Sequence, residues 1–259
     1  MPRFYHVISP HLDDAALSCT MFLAANPGCR LTTVFAGGPA SVRPLTPWDR
    51  AARYFAEGAD VTAVRRGEDC NAAALVHATA IHLTYWDRQY RNPGYGYTGP
   101  DEQALGPVIA DDLLKKDAEN PAGAWVIPLG LGHADHRLAA DASLLCASQL
   151  WASQPCASQP CAGQLRAGRL WANGHQPPEV YVYEELPYAV EDYAEVADRK
   201  QSLAERGFTL VPDDTLEFSG DRSLKMAVFR CHTSQRRALR RRARTAVRTP
   251  ERVWRLTRS

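Results

Sequence analysis

The apolar positions fall into two rhythms. Short, nearly unbroken runs occupy residues 4–8, 29–36, 81–86, 124–129 and 179–183, rich in Val, Ile, Leu and aromatic side chains. Runs of that length and make-up suit strands buried on both faces. Between them lie longer stretches whose apolar residues recur every three or four positions. These cover 15–25, 48–57, 61–78, 101–117 and the segment from 136 to about Trp151, and they read as helices. Asn26-Pro27-Gly28 stops the first helix. Strand, helix, strand in repetition implies right-handed crossovers. The expected fold is therefore α/β: a Rossmann-like, mostly parallel sheet with helices on both faces and the site at the C-terminal strand edge. After the fifth strand, 196–205 reads as a helix, and 216–218 and 225–230 as two further strand-like runs.

Three segments break the rhythm. Residues 88–100 form a Gly-, Pro- and Tyr-rich loop whose tyrosines suit either stacking on a sugar ring or surface cover. Residues 152–164 repeat Ala-Ser-Gln-Pro-Cys, a low-complexity pattern that cannot bury a core, so 152–178 is expected to be a loop insertion. Residues 235–259 hold ten Arg and one Glu, a net +9 that leaves −8 for the rest. Apolar positions there are few, so this Arg-rich tail is expected to be a solvated appendage or to contact anionic surfaces. The domain reading is thus 1–234 plus a tail at 235–259.

Composition narrows the class. At 259 residues with 45% hydrophobic and 23% charged residues, the chain has material for a large core. No apolar run is long enough for a transmembrane segment, and no charged-then-apolar leader opens the sequence, so a cytoplasmic location is expected. The seven cysteines form no paired framework. No specific nucleic acid is expected as a partner, and the oligomeric state is left open.

Chemistry concentrates at two places. His11, Asp13 and Asp14 follow the first strand, and His133, Asp135 and His136 follow the fourth. Each cluster leaves a strand and opens a helix, so both belong on the same sheet edge, where open α/β sheets bind ligands. Taken singly, a His or Asp there is a helix cap or a satisfied polar group. Capping does not explain a second cluster of the same kind at an equivalent strand end. Imidazoles and carboxylates with no Cys nearby suit Zn2+ or another divalent ion, one per chain. Three protein ligands leave a position for water, whose pKa the metal lowers to about 7.

These residues resemble a known family. PHLDD at 10–14 and HADH at 133–136 are similar to the paired motifs of the PIG-L/LmbE-like N-deacetylases, zinc enzymes that remove acyl groups from amino sugars. Arg65 and Glu68 before the third strand, Asp87 at its end and YEELPY at 183–188 add weaker matches, and the resemblance spans roughly 3–230. It implies that His11, Asp14 and His136 ligate zinc and that Asp13 is the general base. It further implies a protonated His133 that stabilises the oxyanion, with Asp135 holding its imidazolium. Substrate contacts are expected from Arg65, Asp87 and Glu185. Arg65 has a surface pair with Glu68 as its alternative and Asp87 a capping role; either Glu184 or Glu185 is expected to face the crevice.

The implied substrate is an acetamido-sugar glycoside losing its N-acetyl group. The PHLDD form and the Tyr/Gly loop look more like antibiotic-pathway deacetylases than like thiol-biosynthesis relatives, since Ala15 stands where those carry Glu. Two other classes stay open at this stage. One is a metal-dependent phosphoesterase, which needs a two-metal site. The other is a non-catalytic carbohydrate- or polyanion-binding protein that uses the arginines.

Overall fold

The computed structural model describes residues 4–152, 178–213 and 221–258. The first apolar run becomes β1 (Tyr5–Ser9), buried at every position. Parallel to it lie β2 (Arg30–Thr33) and then β3 (Thr79–His82) on one side, and β4 (Ala124–Pro128) and then β5 (Glu179–Tyr183) on the other. Two later strands, β6 (Phe208–Pro212) and β7 (Val253–Arg258), complete the order β3-β2-β1-β4-β5-β7-β6, with β7 antiparallel to both neighbours. The expected mostly parallel α/β sheet is what forms.

Side chains of the central strands divide between two cores with the period of two that a pleated strand imposes. Ile8, Trp125, Ile127, Val180 and Val182 pack on one face with α5 (Glu102–Glu119), α6 (Ala134–Ala152) and α8 (Tyr193–Glu205). Val7, Ala124, Val126, Tyr181 and Tyr183 pack on the other. There they meet α1 (Asp14–Ser18), α2 (Thr20–Ala25), α4 (Val61–Leu75) and α9 (Arg222–Cys231). Strands buried on both sides need no polar alternation, which is why their runs are unbroken. The short α3 (Pro47–Ala52) and α7 (Tyr188–Glu191) lie on loops near the strand ends.

Connectivity fixes where a crevice opens. From β1 the chain moves outward through β2 and β3, then returns to the other side of β1 as β4. The reversal between β1 and β4 is the switch point at which the two following loops diverge and leave room for a ligand.

Four sequence expectations are corrected. The helix over 15–25 is two helices, broken at Cys19. The carboxylate of Glu251 accepts from the Met21 and Phe22 amides at 3.0 and 3.1 Å and so satisfies the exposed N–H groups of α2. The helix over 48–57 stops at Ala52, because Arg53 turns left-handed at φ 51°. The strand-like run 225–230 is helix α9. Its apolar residues split with helical spacing, Leu224, Val228 and Cys231 to one core and Met226 and Phe229 to the other. The Arg-rich segment is not a solvated appendage. Its α10 (Arg240–Arg248) buries Ala243, Ala246 and Val247, and β7 is an inner strand of the sheet. A narrow apolar stripe suffices because the arginines keep to the outward side. The strand read at 216–218 and most of the loop read at 152–178 lie outside the described residues.

Candidate metal and catalytic centre

The turn after β1 is closed by Ser9, whose hydroxyl donates to the His11 carbonyl at 2.7 Å and accepts from the Ala15 amide at 3.2 Å. This delivers His11, Asp13 and Asp14 to the crevice. Asp13 sits at the start of α1 but makes no side-chain cap bond, so its carboxylate is not consumed by the helix. The turn after β4 is held by Glu185. Its two oxygens accept from the amides of Leu129 (3.1 Å), Gly130 (2.8 Å) and Leu131 (3.0 Å). Gly132 follows at φ 73°, where a Cβ would lie 2.1 Å from the Tyr188 ring, so only glycine lets the loop pass. His133, Asp135 and His136 then emerge opposite the first cluster.

His11, Asp14 and His136 bring one ligand atom each within 4.8 Å of one another. The Oδ2 atom of Asp14 lies 3.2 Å from His11 Nδ1 and 3.1 Å from His136 Nε2. The far nitrogen of each ring faces another carboxylate. His11 Nε2 is 3.1 Å from Asp135 Oδ2, and His136 Nδ1 is 3.4 Å from Glu185 Oε1. Ligating histidines are oriented in this way, with one nitrogen for the metal and the other on an anionic acceptor. Both ring nitrogens of His136 are buried with no hydrogen-bond partner despite those near carboxylates. A buried imidazole left without hydrogen bonds is costly, and a cation beside it removes the cost. Two imidazoles and one carboxylate, converging with their outer nitrogens already backed, fit a divalent ion.

A second group, His11, His133 and Asp135, also converges, but it shares His11 with the first. Its Asp135 is engaged elsewhere. Besides His11 it accepts from the Arg88 amide at 3.0 Å and from Arg91 Nη2 at 2.5 Å.

Burial opposes charge on these groups, and their neighbours decide the outcome. For His11 burial is outweighed by its bonds to Asp135 and Asp14, which hold it well above the ordinary imidazole value. For His136 burial is outweighed by the Asp14 charge, which raises it to about 9. Burial likewise fails to protonate Asp135, which His11 and Arg91 hold down at about 2. His133 moves the other way, lowered by burial and then by His11.

The expectation that Asp135 holds a protonated His133 is not met. The Asp135 carboxylate serves His11 and Arg91, while its backbone N–H donates to His133 Nδ1 at 3.2 Å. That bond needs an unprotonated Nδ1, which fits an imidazole carrying its proton on Nε2. Glu185, expected as a substrate contact, is instead fully buried off the cavity lining, with its oxygens accepting from the three amides. Arg65 does not pair with Glu68, which accepts from the Ser234 amide and hydroxyl at 2.7 and 2.6 Å. Instead Arg65 lies between Asp13 and Asp87, 3.5 Å from each. Burial would lower its guanidinium, but Asp13 and Asp87 raise it. Asp87 faces the cavity and also caps the following turn through the Gln89 amide at 3.2 Å.

The cavity encloses about 190 Å3. His11, Asp13, Asp14, Arg65, Asp87, His133 and His136 form its polar end, and Leu17, Trp48, Pro187, Tyr188 and Leu239 its apolar walls, with Gln89 and Arg242 at the side. Trp48, Gln89, Leu239 and Arg242 carry no motif and went unread as cavity residues in the sequence, whereas Tyr188 closes the YEELPY segment. Arg91, which anchors Asp135 from inside the Tyr/Gly loop, carries no motif either.

No family model matches the chain. A 2'-N-acetylparomamine deacetylase from Niallia circulans is 32% identical over 177 residues, spanning 57% of this chain and 63% of that protein, just short of two thirds of its length. Among solved structures, a deacetylase triple mutant (Orf2*T) of the teicoplanin biosynthetic pathway matches with a TM-score of 0.71 and 25% identity, over 98% of both chains. A deacetylase–bog complex from the same pathway gives 0.70 and 25%, over 99% of this chain and 98% of that one. The chain has the fold of these deacetylases. The resemblance to PIG-L/LmbE-like enzymes drawn from residues 10–14 and 133–136 is borne out. In this deacetylase fold the crevice between β1 and β4 holds both motifs.

Proposed function

We propose that the protein is a metal-dependent amidohydrolase that removes an N-acetyl group from the amino-sugar unit of a glycoside in natural-product biosynthesis. The observation that carries this reading is the His11/Asp14/His136 convergence with the unconsumed Asp13 carboxylate beside it. The likeness to a 2'-N-acetylparomamine deacetylase and to a deacetylase of the teicoplanin biosynthetic pathway supports the substrate class.

His11, Asp14 and His136 would hold one Zn2+ or similar ion, which when bound supplies Lewis acidity and lowers the pKa of water. The chain's own groups do the rest. Asp13 lines the cavity and, steadied by Arg65, accepts the proton of the attacking water. His133 presents Nε2–H to the oxygen on which negative charge develops. As the C–N bond breaks, Asp13 returns its proton to the departing amine, giving acetate and the free amino sugar. Asp87 and Gln89 are placed to accept and donate to sugar hydroxyls, and Trp48 and Tyr188 offer faces for the ring.

The two candidate ligand groups share His11, so they are alternatives and not the paired sites of a two-metal phosphoesterase. The test is amine release from N-acetyl glycosides by zinc-loaded protein against chelator-treated protein. The reading requires activity that is lost with the metal and returns on its addition. Equal turnover by metal-free protein would overturn it.

A further inference from the structure

Seven of the ten arginines of the C-terminal segment separate into a paired set and a groove-lining set. Arg242, Arg252 and Arg255 each face a carboxylate, those of Glu191, Glu184 and Glu179. Arg236, Arg237, Arg240 and Arg244 do not. They line a groove of about 790 Å3 together with Arg230 from α9 and Arg53 from the end of α3. Among the described residues, none of these six guanidinium groups makes an ion pair or a hydrogen bond. The floor is apolar, with Phe229 and Ala243 buried beneath, and Tyr54 stands exposed at the rim. The groove lies across α10 from the catalytic cavity, which takes Leu239 and Arg242 from the same segment.

Six like charges in one concavity repel one another, and the fold gains nothing from collecting them. The first turn of α10 carries no acidic residue and begins with three arginines, against the helix dipole. Every cation in the groove is Arg and none is Lys. The planar guanidinium grips phosphate oxygens in pairs, which an ammonium cannot do. Six exposed guanidinium groups around one wide groove can converge on the several oxygens of a compact polyanion from different sides. From these observations we infer that the groove binds an oligophosphate, two or more linked phosphates, separately from the deacetylation site. The source of such a group is either free pyrophosphate or a nucleoside diphosphate whose base rests on Tyr54.

The test is isothermal titration of the full-length, zinc-loaded protein with pyrophosphate and, separately, with uridine diphosphate, against NaCl of matched ionic strength. The expected result is saturable one-to-one binding. It weakens by about tenfold or more in an Arg236→Gln, Arg240→Gln double variant and stays unchanged in Arg252→Gln, which lies on the paired side. The double variant should also melt higher than the parent at low salt in the absence of ligand, since repulsion is relieved. Tighter binding of the diphosphate that Tyr54→Ala removes would assign the nucleoside; equal binding of both probes would assign the free anion. No saturable heat from either probe, binding retained in the double variant, or binding only to anionic phospholipid vesicles would overturn the inference.

Discussion

His11 Nε2 lies 3.1 Å from the carboxylate of Asp135, a residue 124 positions away, while His133, only two positions from Asp135, is bonded by that residue's backbone N–H. The second motif therefore reaches across the crevice to orient an imidazole of the first. Asp135→Asn is expected to lower metal affinity by about 10- to 100-fold, measured by competition with a chromophoric chelator. If Asp135 served His133 alone, the variant would keep its metal and lose only turnover.

Asp13→Asn should leave metal stoichiometry at the parental value and reduce kcat by about 10²- to 10⁴-fold. Metal analysis of the same preparation used for kinetics checks both halves. His133→Ala should behave similarly, at about 10²- to 10³-fold in kcat, because it removes a donor to developing charge and no proposed ligand.

Glu185 has a mechanical duty. Glu185→Ala strands the amides of Leu129, Gly130 and Leu131 in a buried turn. Urea unfolding of the metal-free protein should show a loss of about 3–5 kcal/mol. Glu185→Gln, which still accepts through one oxygen, should lose less.

Acid stability should depend on His6. Buried beside Trp125, it bonds Thr32 Oγ1 at 2.8 Å, and its Nδ1 accepts from Arg30 at 3.1 Å. Burial, with a lesser part from Arg30, lowers its pKa from 6.5 to about 4. Below pH 6.5 the unfolded chain takes up this proton and the folded chain does not. The stabilisation is therefore present in full above 6.5, falls as pH drops, and is exhausted near 4, with a total of about 3 kcal/mol. Unfolding free energies across that window should show a shallower slope for His6→Asn than for the parent.

Truncation after Thr249 removes β7 and deprives both β5 and β6 of a partner. The truncated chain should lose its cooperative thermal transition. A solvated appendage could be cut away without effect.

The sequence revealed the parts of the fold that physics makes conspicuous. β1, β4 and β5 are unbroken apolar runs because both of their faces are covered, and the two motifs stood out because they end equivalent strands. β7 was hidden, since exposed Arg255 and Arg258 come two residues after buried Val253 and Leu256, respectively, and break its apolar signal. The 225–230 run was read with the wrong period, because a helix that feeds two cores has few polar positions left to mark its turn. Within the site, spacing placed all six motif residues together but could not tell which carboxylate meets which imidazole. Side-chain torsions and the loop bearing Arg91, which holds Asp135, decide that, and neither carries a sequence signature.

The position of β7 bears on how the chain is made. The six motif residues lie between 11 and 136 and are synthesised well before residue 253. Until β7 arrives, β5 presents Glu179-Val-Tyr-Val-Tyr183 as an open edge, a β-rich row of unpaired backbone groups that invites pairing with other chains. β6, which pairs with β7 alone, cannot cover it. The nascent protein thus passes through an interval in which the half that carries both motifs is assembled and its sheet is still adhesive, and the arginine-studded strand β7 is what ends that interval.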